Sequence, residues 1–186
     1  YQASAGIVIT ASHNPPEYNG YKVYNERGNQ MLAEEAQAIS SQMAGLGLDS
    51  VRTDPNPKRS LLWHWLGEEV IQPYYQRLLR IVPQIQDTRG LRVLYTPLHG
   101  TGGRFVPEIL KMAGFSRVST VAKQMVPDGN FPTVKFPNPE DPQAFELAFA
   151  QAKQDPCDLI IATDPDADRM GVAVDHRGEW VLLSGN

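Results

Sequence analysis

The spacing of apolar and polar residues divides the chain into short strands and amphipathic helices. Ala5-Gly6-Ile7-Val8-Ile9-Thr10 is apolar and β-branched, as expected of a buried strand. It stops at Thr10-Ala11-Ser12-His13-Asn14-Pro15-Pro16, because proline cannot continue a central ladder. Tyr21-Lys22-Val23-Tyr24-Asn25 alternates and reads as a second strand, with a turn over residues 26–29. From Leu32 a helix is predicted, with Leu32, Ala36, Ile39 and Met43 on one face and Gly45 and Gly47 at its end. Residues 48–59 are polar and proline-rich, which suits a linker between domains.

Beyond the linker the two periods alternate. Residues 68–82 carry a helical stripe of Val70, Tyr74, Leu78 and Val82, in which Pro73 is tolerable only in the first turn. A strand over 91–95, a helix over 104–113 and a strand over 118–121 follow. After a proline-rich excursion over 127–139, Asp141-Pro142 gives a cap and first turn for a helix ending near Lys153. Leu159-Ile160-Ile161-Ala162 reads as a buried strand, and residues 170–174 and 180–183 form a hairpin about Arg177-Gly178. This alternation predicts an α/β architecture with a largely parallel sheet. In such sheets ligands sit beyond the carboxyl ends of the strands. Three loops qualify: the one holding Ser12, the one at His99-Gly100-Thr101-Gly102-Gly103, and the one beginning at Asp164.

Composition narrows the class. The 186 residues are 41% hydrophobic and 20% charged, which excludes a disordered chain. A net charge of −4 without a basic block argues against nucleic acid as a partner. No apolar run approaches the roughly 20 residues needed to span a bilayer, so no membrane partner is expected. The single cysteine, Cys157, cannot form an internal disulfide and precedes an apolar run. It reads as a buried thiol in a reducing compartment, and the cytoplasm is the expected location.

Asp164-Pro165-Asp166-Ala167-Asp168-Arg169 is the most informative loop. Three carboxylates at alternate positions can face one centre, where they would repel unless a divalent cation such as Mg²⁺ joins them. Arg169 adds a fork suited to a phosphate oxygen. A solvated acidic turn is the plain alternative, and the buried strand before the loop weighs against it. A helix–loop–helix calcium site is excluded, since its sixth and twelfth positions hold Arg169 and Asp175 rather than Gly and Glu. An aspartate-nucleophile phosphatase also places Asp-x-Asp after a buried strand and stays open. Ser12, in a loop stiffened by Pro15 and Pro16, suits a nucleophile. Adjacent side chains on an extended loop diverge, which makes His13 a poor base for it. Lys22 could carry a proton or neutralise phosphate. The glycine-rich loop after residue 98 reads as a tight turn ahead of an anion cradle.

Together these segments resemble the α-D-phosphohexomutase superfamily, the phosphoglucomutases and phosphomannomutases. The residues over 10–15 resemble its phosphoserine loop, Asn19-Gly20-Tyr21-Lys22 its lysine segment, and the residues over 164–169 its metal loop. Pro127-Asp128-Gly129-Asn130-Phe131-Pro132, continuing to Glu140, is similar to the branch with phosphoglucomutase, phosphopentomutase and glucose-1,6-bisphosphate synthase. The resemblance implies an intramolecular phosphotransferase, with Ser12 carried as phosphoserine. It implies Mg²⁺ held by Asp164, Asp166, Asp168 and a phosphoserine oxygen, and Lys22 as proton carrier. Ser12, Lys22, His13, Asp168 and Arg169 would contact substrate phosphate. Sugar phosphates and a sugar bisphosphate are the implied partners. By the same resemblance, residues 1–47 are the C-terminal part of a first domain, 48–183 a similar second one, a three-layer α/β/α domain with a mixed, largely parallel sheet, and 184–186 the entry to a third. The chain is then expected to be a fragment, inactive alone, with uncovered apolar surface that favours self-association. A metal- or phosphate-binding module without turnover is the non-enzymatic alternative.

Overall fold

The structure, a computed structural model, describes residues 2–82, 87–88 and 90–183. The expected entry to a third domain, residues 184–186, lies outside them. The chain forms two compact units: residues 1–9 with 21–76, and residues 10–20 with 77–186.

In the first unit β1 (Gly6–Ile9) pairs antiparallel with β2 (Tyr21–Tyr24), so that Val8 faces Lys22 across the ladder. The turn after β2 closes because the Asn25 side-chain oxygen accepts from the N–H groups of Arg27 and Asn29 at 3.1 and 3.2 Å. Gly28 supplies the left-handed residue there, φ 79°. Helix α1 (Ala33–Met43) starts where the Glu35 carboxylate accepts from the Leu32 N–H at 3.0 Å. The expectation of a buried first strand fails in this chain. Ile7 and Ile9 are 64% and 73% exposed, and the β1–β2 sheet has no third strand among the described residues. For the same reason α1 buries none of its residues, although its apolar face is where the spacing puts it.

Helix α2 spans Glu68–Ile81, and the division between units falls within it, after Gln76. Pro73 is its sixth residue, one turn further in than expected. The helix continues with one N–H fewer, since proline cannot donate to the carbonyl four residues back.

The second unit is built on a five-stranded mixed sheet in the order β4-β3-β5-β6-β7. The strands are β3 (Arg92–Thr96), β4 (Arg117–Thr120), β5 (Leu159–Thr163), β6 (Met170–His176) and β7 (Glu179–Leu183). β4, β3 and β5 run parallel, while β6 and β7 add an antiparallel hairpin. Arg177 and Gly178 turn that hairpin with φ 59° and 86°, the left-handed pair that matches strand twist. Helices α3 (Val106–Met112) and α4 (Glu146–Ala152) make the crossovers. Each is entered through a turn of 3₁₀ helix, over 101–104 and 142–145, and the second stands where the start of an α-helix was expected. Asp141 caps the second of these by accepting from the Gln143 N–H at 2.9 Å.

Leu94, Leu98, Val121, Phe145, Ala148, Ala152, Ile160, Ala162 and Ala173 form the core, with Cys157 among them as a free thiol. Phe149 stacks between Phe145 and Trp180, with ring centroids 5.6 and 5.8 Å away. At the amino end of the sheet Arg92 grips Asp158 with two N–H groups, at 2.7 and 3.1 Å. The expected α/β class and mixed sheet are borne out. No described helix is long and apolar enough to cross a membrane.

Candidate active site

The loop between β1 and β2, residues 10–20, groups with the second unit and not with the strands it joins. Its ends are tied by the Thr10 N–H, which donates to the Gly20 carbonyl at 3.0 Å. Inside it the Thr10 hydroxyl oxygen accepts from the Ser12 N–H at 2.8 Å, and the Asn14 side chain donates to the Ala11 carbonyl at 2.9 Å. These bonds hold Ser12 in the left-handed region, φ 54°. A non-glycine residue stays there only when its surroundings over-determine it. The twist also changes the relation of Ser12 to His13. The loop is turned rather than extended, so the two side chains converge, with His13 Nδ1 at 3.3 Å from Ser12 Oγ.

The second loop leaves the carboxyl end of β5. Its first residue, Asp164, is fully buried. Asp164 Oδ1 accepts from the Arg169 N–H at 2.9 Å, and its carbonyl accepts from the Ala167 N–H at 3.0 Å. Ala167 takes a left-handed conformation, φ 60°, to close this turn. Asp164 Oδ2 receives the Ser12 hydroxyl at 2.9 Å, joining residues 152 apart in sequence. The two loops therefore meet, as the family resemblance implies.

Asp164, Asp166 and Asp168 each offer an oxygen, and these oxygens lie within 4.8 Å of one another. Burial pushes the Asp164 carboxyl up to about 6, and the Asp166 side chain pushes in the same direction. The Arg169 N–H and the Ser12 hydroxyl oppose the shift without cancelling it. A desolvated carboxylate beside two others is the electrostatic debt that a hard cation removes, and an all-oxygen donor set fits Mg²⁺.

The remaining expected residues are placed differently. Arg169 meets Asp164 through its main chain, both by its N–H and by its carbonyl, and its side chain is exposed. Lys22 belongs to the first unit, on β2. The glycine-rich loop is a turn, and two of its N–H groups are used within the protein. Gly100 N–H donates to the Pro97 carbonyl at 2.8 Å, and Thr101 N–H to the Pro165 carbonyl at 2.8 Å. Thr101 thus grips the acidic loop between its first two carboxylates. That contact spans 64 residues and has no local sequence signal.

Against known proteins, the profile described as phosphoglucomutase/phosphomannomutase, alpha/beta/alpha domain II, matches residues 72–178. The profile for alpha/beta/alpha domain I matches residues 1–48. The chain belongs to the phosphoglucomutase/phosphomannomutase family. It is 39% identical over 192 residues to a phosphoglucomutase of Staphylococcus epidermidis, covering all of this chain and 34% of that one. It is 37% identical over 190 residues to a protein of Haemophilus influenzae named as a probable phosphomannomutase, covering 100% of this chain and 38% of the relative. A solved structure from Thermus thermophilus, assigned as a phosphomannomutase, superposes with a TM-score of 0.71 at 26% identity, covering 93% of this chain and 37% of that one. The chain thus spans little more than a third of the length of these relatives.

Proposed function

We propose that this chain carries the phosphoryl-transfer centre of a Mg²⁺-dependent phosphosugar mutase, with residues 1–47 ending a first domain and 48–183 forming a second. Ser12 is carried as phosphoserine. The bond from phosphorus to Ser12 Oγ breaks as a hydroxyl of a hexose or pentose monophosphate bonds to phosphorus, and Lys22 takes the hydroxyl proton. The bisphosphate so formed turns over, and its other phosphate returns to Ser12. When bound by Asp164, Asp166, Asp168 and a phosphoserine oxygen, Mg²⁺ would neutralise charge on the transferring group. His13, Asp168 and Arg169 contact phosphate. Positioning and charge stabilisation supply most of the catalysis in such transfers.

The observation that carries this reading is the 2.9 Å contact of Ser12 Oγ with Asp164 Oδ2 beside the other two carboxylates. The same contact disfavours Asp164 as the nucleophile of a phosphatase. Both of its carboxylate oxygens are engaged, one by Ser12 and the other by the Arg169 N–H. Incubation with glucose 1,6-bisphosphate and Mg²⁺, followed by peptide mapping, tests the assignment. An acid-stable phosphate on the Ser12 peptide supports it, and a hydroxylamine-labile phosphate on Asp164 would overturn it.

Because the chain spans about a third of its relatives, it is expected to bind metal and accept phosphate without sustained turnover. Remote contacts to substrate normally contribute orientation and rate. A coupled assay of glucose 1-phosphate isomerisation, primed with the bisphosphate, checks this. Robust turnover by the 186-residue chain would contradict it.

A further inference from the structure

Behind the acidic loop lies a buried polar network that the phosphoryl-transfer reading does not use. His99 is almost fully buried, and both of its ring nitrogens are engaged. Nδ1 lies 3.2 Å from the Val126 carbonyl, which can only accept. Nε2 lies 2.8 Å from the Thr133 hydroxyl. The Gln124 side chain donates to that same hydroxyl at 2.9 Å, and the Thr96 hydroxyl donates to Gln124 Oε1 at 2.6 Å. One direction of donation satisfies every member: Thr96 to Gln124, Gln124 to Thr133, Thr133 to Nε2, and Nδ1–H to Val126. The backbone joins in, since His99 N–H donates to the Gln124 carbonyl at 3.0 Å and the Asp128 N–H donates to the His99 carbonyl at 3.0 Å.

This network holds an unusual backbone. Leu98 and His99 are consecutive left-handed residues, with φ 48° and 66°. Two such non-glycine residues in a row are strained and persist only under constraint. Their conformation delivers Gly100 and Thr101 against the acidic loop. A Cβ on Gly100 would collide with the Pro165 backbone, so the approach needs glycine there. Thr101 then donates to the Pro165 carbonyl twice, from its N–H at 2.8 Å and from its hydroxyl at 3.1 Å. That carbonyl lies between Asp164 and Asp166.

We propose that the His99–Thr133–Gln124 network is a positioning device for the acidic loop, acting through Thr101 on Pro165 to set the separation of Asp164 and Asp166. His99 is a positioning residue and touches no substrate. The inference deepens the cation-site reading above and rests on it for its consequence, but the clamp itself exists without metal. Partners of ligating groups behave this way elsewhere, and their loss weakens metal affinity about 10- to 100-fold.

The test uses the 186-residue chain and four substitutions: His99→Ala, His99→Asn, Thr133→Val and Thr101→Ala. Asparagine tolerates the left-handed region and keeps a donor for the Val126 carbonyl, so it serves as the conservative variant. The first readout needs no metal. Amide hydrogen exchange at Ala167 and Arg169, whose N–H groups close the acidic loop onto Asp164, is compared with exchange in the β6–β7 hairpin. Thr101→Ala and His99→Ala are expected to lower protection at Ala167 and Arg169 by about tenfold while the hairpin is unchanged, with His99→Asn closer to wild type. The second readout is Mn²⁺ affinity by calorimetric titration, expected to fall about tenfold in the same order. Thr101 is exposed, so its variant folds even if His99→Ala does not. Unchanged protection at both amides in folded Thr101→Ala and Thr133→Val would overturn the positioning role. Lost protection together with a wild type that binds no Mn²⁺ would uphold the clamp and overturn the cation-site reading instead.

Discussion

Asp164→Asn separates the cost of the acidic loop from its use. Asp164 is fully buried, and its carboxyl is pushed up to about 6 from an ordinary 3.8, first by desolvation and then by Asp166. A raised carboxyl pKa means that the folded chain holds a proton which the unfolded chain has released. Stability contributed by the protonated group is therefore complete below about 4 and is lost as pH rises through about 6. About two pKa units at 1.36 kcal/mol each set an upper bound of about 3 kcal/mol lost at neutral pH. Asparagine is uncharged and nearly isosteric, and its Oδ1 still accepts from the Arg169 N–H. Without metal at pH 7.5, the variant should be more stable than wild type by up to about 3 kcal/mol, which raises Tm by up to roughly 10–15 °C for a unit of this size. Denaturation followed by circular dichroism from pH 4 to 8 measures it. Wild type should lose stability across this window, and Asp164→Asn should lose much less. A destabilised variant, or two parallel pH profiles, would refute the reasoning. Adding Mg²⁺ should stabilise wild type and leave the variant largely unchanged.

Three further outcomes are expected. Asp166→Ala should reduce Mg²⁺ affinity at least about tenfold by titration calorimetry with little change in fold, because Asp166 is only half buried. Gly171→Ala should cost about 1–3 kcal/mol in urea unfolding, since a Cβ there would strike the Pro139 carbonyl and come within 3.1 Å of the Phe145 ring. Asp158→Asn should cost about 1 kcal/mol, because its bidentate partner Arg92 is part-exposed and water screens the pair. The paired Arg92 holds the Asp158 carboxyl down at about 2, so this contribution is present above about 4 and is lost as pH falls through about 2.

The second unit was legible because its apolar runs are short, bounded by Gly and Pro, and spaced for a crossover fold. Ile160 and Ala162 sit in the centre of the sheet as their run implied. The convergence of Ser12 with the acidic loop was legible through the family resemblance, since no periodicity links residues 152 apart. Burial of β1 was misread because an apolar β-branched run fixes a strand and does not supply the layer that covers it. The left-handed turn at Ser12 and the grip of Thr101 on Pro165 escaped for a different reason. The first is held by side-chain-to-backbone bonds within residues 10–14 and the second by bonds between loops 64 residues apart, and neither local propensity nor hydrophobic spacing encodes them.

The measurement closest to the centre of the account places phosphorus at residue 12 and a paramagnetic ion at the acidic loop. A chain bearing phosphoserine at position 12 would be titrated with Mn²⁺ while its ³¹P resonance is followed. The account predicts tighter Mn²⁺ binding than in the unphosphorylated chain and strong broadening of the phosphorus signal, both abolished by Asp166→Ala. Mn²⁺ bound at the aspartates with a sharp, unperturbed phosphorus line would contradict it.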